Sequence, residues 1–194
     1  DIPARILRVG FVGELGYELH VPASQGEALW DALLEAGGPE GIRPFGVEAQ
    51  RLLRLEKGHI IVSQDTDGLT TPEEAAMEWA IAKAKPFFVG KRSIEIQRAA
   101  GVKRKLVGFT LEGGGEARMP KECHLVLRGE EITGRVTSVG YSPVLGKVVG
   151  LAFVPADHAS PGMRFDIKIE DGEIVRAVVA KPPFYDPENR GQEM

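Results

Sequence analysis

The chain has little cysteine, no excess of basic charge and no long apolar run. Its 194 residues include one cysteine, Cys123, so neither an intrachain disulfide nor a cysteine-based metal cluster can form. We expect Cys123 to be a small buried residue and predict a reducing, cytoplasmic location. The formal net charge is −4, and the longest basic cluster is KRK at residues 103–105, so no nucleic-acid partner is predicted. No stretch approaches the roughly 18 apolar residues that cross a bilayer, so no membrane partner is predicted either.

Familiar chemical signatures are also missing. The sequence contains no Walker loop, no GxGxxG, no HExxH and no GxSxG. Its four histidines do not have the spacing of metal ligands, and DTDG at residues 65–68 begins like a calcium loop but lacks the later ligands. No metal site is therefore predicted, and no motif in these residues points to a common hydrolase, kinase or dinucleotide-binding class.

The first hundred residues predict an α+β module. Residues 4–22 indicate two strands around the turn GELG, because apolar and polar side chains alternate along residues 17–21. Helical patterns that end at glycines follow at residues 24–36, 47–56 and 91–100, and in the second of these the leucines at 52, 53 and 55 are expected to face inward. The polar stretch SQDTDGLTTPEEA, residues 63–75, is expected to form a long functional loop leading to Trp79.

Near residue 101 the sequence pattern changes from helical to strand-like. From there, six short β-type runs are separated by Gly, Pro and Asp, a spacing typical of a small barrel or a sandwich. We therefore divide the chain into an α+β module, residues 1–101 and incomplete at its N-terminal side, and a β domain, residues 102–194. The last residues, DPENRGQEM, are predicted to be a mobile tail.

One group of residues suggests a binding site. Phe11, Glu18, the helix around LLRLEKG and Trp79 combine a carboxylate on a strand with aromatic rings. A planar heterocycle with adjacent N–H donors needs this combination, since two carboxylate oxygens can accept parallel hydrogen bonds while rings cover its faces. An alternating strand with an outward, solvent-facing glutamate explains the same pattern, and the residues alone leave both interpretations open.

The sequence is similar to a known family over nearly its whole length. GFVGELGYELHVP, residues 10–22, resembles the G-[YF]-x-G-E-x-G-[YF]-E signature of the glycine-cleavage T-protein (aminomethyltransferase) family, which includes the folate-binding parts of sarcosine oxidase and related demethylases. The resemblance continues through residues 44–81, FVGKRSI, KLVGFTLEG, GRVTSVGYSPVLGKVVGLAFVP and SPGMRFDI. Within the family, LRLEKGHIIVSQDTDGLTTP, GKRSI and KPPFYDPE look most like the alpha subunit of heterotetrameric sarcosine oxidase.

The resemblance implies a fold and a folate site. The implied fold is an antiparallel-sheet α+β module followed by a small C-terminal β-barrel. Glu18 would anchor the pteridine of tetrahydrofolate, Phe11 would pack on it, and His59 and Trp79 would line the same cavity. Gln50 falls where T-proteins place a folate-proximal arginine, a contact that Arg51 could replace only if the helix face allows it. No catalytic residue is assigned, because the catalytic Asp of T-proteins lies upstream of the signature.

The resemblance also implies an activity. The family uses tetrahydrofolate to capture a one-carbon unit from an aminomethyl or N-methyl donor, with a lipoyl carrier or oxidase subunits as possible protein partners. Since the chain begins with Asp1 just before the signature, we expect a fragment that lacks the region of the catalytic Asp. Three hypotheses stay open: an aminomethyltransferase, a non-catalytic folate-binding module of a sarcosine oxidase-type alpha subunit, or a family member that has lost catalysis.

Overall fold

The first part of the chain combines a two-stranded ribbon with three helices. In the computed structural model, which describes residues 2–113 and 116–193, β1 (Arg5–Arg8) pairs antiparallel with β2 (Tyr17–His20). The helices are α1 (Gly26–Gly37), α2 (Val47–Lys57) and α3 (Lys91–Ala100). The glycine that ends α2 has a φ of 75°, a left-handed conformation that glycine adopts at no steric cost. All the predicted elements of this part are present.

The second part is a closed six-stranded barrel. Every neighbouring pair of strands is antiparallel, and the strand order around the barrel is β3-β6-β5-β4-β7-β8. The α+β fold class with a C-terminal barrel is thereby confirmed, and a sandwich is excluded. The boundary between residues 101 and 102 stays a prediction. The six strands are β3 (Arg104–Leu111), β4 (Leu125–Arg128), β5 (Glu131–Ser142), β6 (Lys147–Pro155), β7 (Arg164–Lys168) and β8 (Ile174–Ala180).

Strand β6 is buried on both faces and joins two apolar clusters. Ala152 and Val154 belong to the barrel interior, whereas Val149, Leu151 and Phe153 belong to a second cluster outside it. The second cluster is completed by Leu55 of α2, which is 2% exposed. Burying a leucine side chain to this extent contributes roughly 2 kcal/mol. Helix α2 is therefore docked on the outer face of the barrel.

The residues after β8 fasten the module to the barrel. We call residues 184–193 the C-terminal strap, because they pass over α2 and reach the turn between β1 and β2. Lys57 Nζ donates to the carbonyl oxygen of Asp186 at 2.7 Å and to its Oδ2 at 3.1 Å. The N–H of Leu15 donates to the carbonyl oxygen of Gly191 at 2.8 Å. The prediction of a mobile tail was wrong for residues 186–193, since these contacts hold the strap in place.

The structure also describes the single cysteine and the length and apolarity of the helices. Cys123 is exposed and has a φ of 68°, so the expectation that it is buried was wrong. Within residues 2–113 and 116–193, no helix has both the length and the apolarity required to cross a membrane.

Candidate functional site

A cavity of about 630 Å³ lies between the α+β module and the barrel. Its volume is within the usual range for small-molecule sites, about 300–1,000 Å³. The module contributes the segment after α2 and the loop before Trp79, and the barrel contributes strand edges and the chain that follows β8. The lining is mostly apolar and comprises Phe11, Gly58, His59, Ile60, Ala75, Ala76, Met77, Trp79, Leu106, Val107, Gly108, Leu151, Ala159, Pro161, Val179, Ala180, Lys181 and Pro182.

Three of the five sequence-predicted site residues line this cavity. The rings of Phe11 and His59 stack with centroids 6.2 Å apart and an interplanar angle of 29°. Trp79 lines the same cavity and is 78% exposed, so its indole is open to a bound molecule. The structure thus brings together two aromatic side chains and an imidazole that are far apart in the sequence.

The other two predicted residues do not line the cavity. Glu18 is exposed on β2, and its Oε2 lies 3.1 Å from Nε2 of His20. Gln50 lies in the first turn of α2, where its main-chain N–H donates to the carbonyl oxygen of Gly46 at 3.3 Å. The roles of Glu18 and Gln50 in folate binding therefore stay predictions.

A buried ion pair behind the cavity wall escaped the sequence reasoning. Arg54 and Asp65 are 1% and 0% exposed, and Arg54 Nη1 donates to Asp65 Oδ2 at 2.7 Å. The N–H of Ile61 donates to the same oxygen at 2.8 Å, while the hydroxyls of Thr137 and Ser138 donate to Oδ1 at 2.6 and 2.5 Å. The Asp65 carboxylate therefore accepts four hydrogen bonds, which offset the cost of burying its charge.

A β-bulge explains how two adjacent residues of β5 reach the same carboxylate. Along the β5–β6 pair, Val136 is opposite Ala152 and Ser138 is opposite Leu151, so Thr137 is the extra residue. In a regular strand, neighbouring side chains point to opposite faces. The bulge lets both hydroxyls turn outward, toward the loop that carries Asp65.

The ion pair holds the wall of the cavity. Arg54 Nη1 also donates to the carbonyl oxygen of His59 at 2.9 Å, and the N–H of His59 donates to the carbonyl oxygen of Arg54 at 2.9 Å. Arg54 Nη2 donates to Ser138 Oγ at 2.7 Å, which connects the same guanidinium to the barrel. The backbone at His59 is therefore fixed relative to β5.

A second cavity, of about 660 Å³, is less suited to an aromatic ligand. It lies between α2 and β5 and is lined by several charged side chains, including Arg51 and Glu122. Arg51 Nη2 donates to Glu122 Oε1 at 2.5 Å and to Gln64 Oε1 at 3.3 Å. Arg51 is thus already paired with these groups, which argues against its replacing the missing arginine at position 50.

The polar groups of the first cavity are few. Among its lining side chains, Trp79 and Lys181 can only donate hydrogen bonds, and the only strong side-chain acceptor is a ring nitrogen of His59. Among residues 2–113 and 116–193, no Asp or Glu side chain lines it. In the part of the chain that the structure describes, no group of three or more His, Cys, Asp or Glu residues could hold a metal ion. The arrangement is suited to binding and orienting a ring system.

Comparison with known proteins identifies the architecture. Residues 1–85 match the family model for the GCVT N-terminal domain, and residues 104–186 match the model for the glycine cleavage T-protein C-terminal barrel domain. An aminomethyltransferase from Thermosynechococcus vestitus is 40% identical over 94% of this chain and 48% of its own length. The sarcosine oxidase subunit alpha of Corynebacterium sp. strain P-1 is 38% identical over 96% of this chain and 20% of its own length.

A solved structure agrees with these matches. The crystal structure of glycine cleavage system aminomethyltransferase T from Bartonella henselae has a TM-score of 0.83 and 28% identity, over 92% of this chain and 49% of that one. The fold is thus that of an α+β module docked on an antiparallel barrel. The chain belongs to the glycine-cleavage T-protein family, as its resemblance predicted, and spans about half the length of its aminomethyltransferase relatives.

Proposed function

We propose that the protein is a tetrahydrofolate-dependent aminomethyltransferase that binds the folate in the cavity between module and barrel. The observation that carries this proposal is the aromatic wall formed by Phe11, His59 and Trp79. A tetrahydropterin has the size that such a cavity accepts, and aromatic side chains cover its flat pyrimidine half well. The family membership and the relatives named aminomethyltransferase support the same activity.

In this proposal, the residues of the chain bind tetrahydrofolate and orient it. Tetrahydrofolate would supply the nitrogens N5 and N10 that take up a one-carbon unit from an aminomethyl or N-methyl donor. The apolar lining around Val107 and Leu151 would exclude water, and the rings of Phe11 and Trp79 would hold the pteridine face. Positioning of this kind can account for a large part of a rate enhancement. A lipoyl carrier or oxidase subunits would be the protein partners, and the reaction would take place in the cytoplasm.

Glu18 is proposed to recognise the polar edge of the pteridine. It is the last glutamate of the signature that the family shares, and its carboxylate is exposed and could accept two N–H donors. Gln50 would occupy the place of a folate-proximal arginine and donate a neutral hydrogen bond there. Both roles rest on the resemblance.

The first experiment is a titration with tetrahydrofolate, followed by tryptophan fluorescence. The sequence has two tryptophans, so Trp30→Phe leaves Trp79 as the reporter at the cavity. We expect saturable quenching in the full-length protein. Absence of quenching together with absence of heat in calorimetry would contradict both folate hypotheses and favour a family member that has lost this chemistry.

The second experiment tests Glu18 against its neighbour in the same segment. Glu18→Gln is expected to weaken tetrahydrofolate binding by about tenfold or more, since a charge-assisted hydrogen bond is worth roughly 1.5–3 kcal/mol. Glu14→Gln is the matched control and should leave the affinity nearly unchanged, with both melting temperatures close to that of the wild type. Equal effects of the two variants would remove Glu18 from the site.

The alternative is the folate-binding end of a sarcosine oxidase-type alpha subunit. It is favoured by the 38% identity to such a subunit over 96% of the chain. The reading frame upstream of Asp1 would distinguish the aminomethyltransferase from the oxidase subunit. A dinucleotide-binding fingerprint and a cysteine-rich region would indicate the oxidase subunit, whereas a compact T-protein N-terminal region would indicate the transferase.

A further inference from the structure

His59 is held on three sides. Its main-chain N–H and carbonyl both bond to Arg54, at 2.9 Å each. Its ring lies against the ring of Phe11, at 6.2 Å between centroids. Because Arg54 is itself fixed by Asp65, buried groups set the position of the His59 main chain, and the contact with Phe11 orients the ring.

The hydrogen bond of the ring determines which nitrogen carries the proton. Nδ1 of His59 lies 2.7 Å from the carbonyl oxygen of Phe11. A carbonyl oxygen can only accept, so Nδ1 must donate and therefore bears the hydrogen. In the neutral imidazole, Nε2 is then an unprotonated acceptor. Within residues 2–113 and 116–193, the hydrogen bond to Phe11 is the one that the His59 ring makes.

This acceptor stands out in the cavity. The lining side chains of Trp79 and Lys181 are donors, and the thioether of Met77 accepts only weakly. A ligand that brings an N–H into the cavity thus finds one strong side-chain acceptor, the Nε2 of His59. If the ligand instead placed an unprotonated ring nitrogen there, its lone pair would face the lone pair of His59 Nε2, and the two would repel each other.

We propose that His59 Nε2 accepts a hydrogen bond from a ring N–H of the ligand and thereby makes the cavity selective for a reduced pterin over an oxidised one. A tetrahydropterin carries N–H groups at N5 and N8, whereas the fully oxidised ring has unprotonated acceptor nitrogens there. Since the ligand is taken to be a folate, the proposal rests on the proposed function. His59 is in this view a specificity-determining residue.

The protonation state is tested without any ligand. In the full-length protein labelled with ¹⁵N-histidine, at about pH 8, a long-range ¹H–¹⁵N spectrum distinguishes the two tautomers. The His59→Asn spectrum assigns the signals by their loss. We expect a protonated Nδ1 and an unprotonated Nε2. The opposite tautomer would overturn the proposal.

The selectivity is tested with two variants of His59, each of which keeps the hydrogen-bonding role of only one ring nitrogen. The side-chain amide of His59→Asn can still donate to Phe11 but has no acceptor at the Nε2 position, whereas the amide oxygen of His59→Gln can reach that position. The ratio of Kd for folic acid to Kd for tetrahydrofolate is expected to fall roughly tenfold in the Asn variant, the equivalent of one hydrogen bond, and to stay within about threefold in the Gln variant.

The outcomes are separable. An unchanged ratio in the Asn variant, with wild-type circular dichroism and melting temperature, would overturn the proposal while leaving the proposed function intact. A ratio that falls equally in both variants would also overturn it, because the loss would then follow from the ring and not from its acceptor. If the wild type binds no tetrahydrofolate, the proposed function fails, and the selectivity for reduced pterins fails with it whatever the tautomer.

Discussion

Removing the carboxylate of Asp65 is expected to destabilise the protein strongly. Asp65→Ala leaves the Arg54 guanidinium buried without a counter-charge, and it removes the acceptor of the Ser138 hydroxyl, whereas the Thr137 hydroxyl keeps the carbonyl oxygen of Leu151 at 3.2 Å. Breaking one side of a buried ion pair costs about 3–5 kcal/mol. The unpaired Ser138 hydroxyl adds to this cost, and water that enters the gap reduces it. We therefore expect the free energy of unfolding to fall by about 4 kcal/mol, out of a total of roughly 5–15 kcal/mol for a protein of this kind.

The measurement is urea-induced unfolding at neutral pH, followed by far-ultraviolet circular dichroism and tryptophan fluorescence. Asp67→Ala is the matched control, because Asp67 belongs to the same DTDG segment but is exposed: it bonds to Leu69 and Thr70 and makes only a long surface contact, at 3.9 Å, with Arg104. The control should leave the midpoint nearly unchanged. If Asp65→Ala lowers the free energy of unfolding by less than about 1 kcal/mol, the carboxylate is not the centre of the junction between module and barrel.

A double-mutant cycle separates the ion pair from the rest of the network. Arg54→Met with Asp65→Ala removes both charges and should cost clearly less than the sum of the two single changes, because neither charge is then left alone. Additive losses would mean that the two side chains act independently. The same variants should weaken tetrahydrofolate binding, since Arg54 holds the backbone of His59.

Three further predictions concern the strap, the barrel and the cavity wall. Burial of the Asp186 carboxylate opposes its ionisation, but two main-chain N–H donors and Lys57 outweigh this and hold its pKa below the ordinary 3.8. The contribution to stability is therefore complete above about pH 4 and is lost as the pH falls through the lower pKa of the folded state, so acid unfolding should be less steep in Asp186→Asn than in the wild type. Gly134→Ala would place a Cβ 1.9 Å from the carbonyl oxygen of Phe153, so we expect a lower melting temperature or no folded barrel, and a wild-type melting temperature would contradict this. Gly58→Ala combines a φ of 75° with a Cβ 2.3 Å from a proline of the cavity wall, and it should lower the free energy of unfolding by about 1 kcal/mol or more in urea unfolding.

The elements of the fold follow from local pattern. Apolar runs bounded by Gly, Pro and Asp predicted all six barrel strands, and β6 (Lys147–Pro155) has the apolar run of a strand buried on both faces. Closure into a barrel did not follow from the pattern, because a sandwich produces the same alternation. The family resemblance supplied that choice, and the structure agrees with it.

The buried charges of α2 could not be predicted from the helix itself. Helical periodicity assigns the leucines inward and the charged residues outward, yet Arg54 and Lys57 are 1% and 6% exposed. Each pairs with a carboxylate elsewhere in the chain: Arg54 with Asp65, 11 positions away, and Lys57 with Asp186, 129 positions away. Single-sequence patterns carry no information about such distant partners, so the junction escaped notice.

The residues of the candidate site were likewise predicted only in part. Phe11 and Trp79 were named from the residue pattern and His59 through the family resemblance, and the structure places all three around one cavity. No periodicity could have shown this, because the three belong to separate loops. Lys181 was missed, since nothing in the sequence distinguishes it from a surface lysine that follows a strand.

The bulge at Thr137 makes the barrel specific for the module that it carries. A barrel of the same size with a regular fifth strand would close equally well, but it would present one hydroxyl where two are required by Asp65. A barrel whose fifth strand lacks the extra residue should therefore hold this module less firmly, so an irregularity in one strand contributes to the junction between the two parts of the chain.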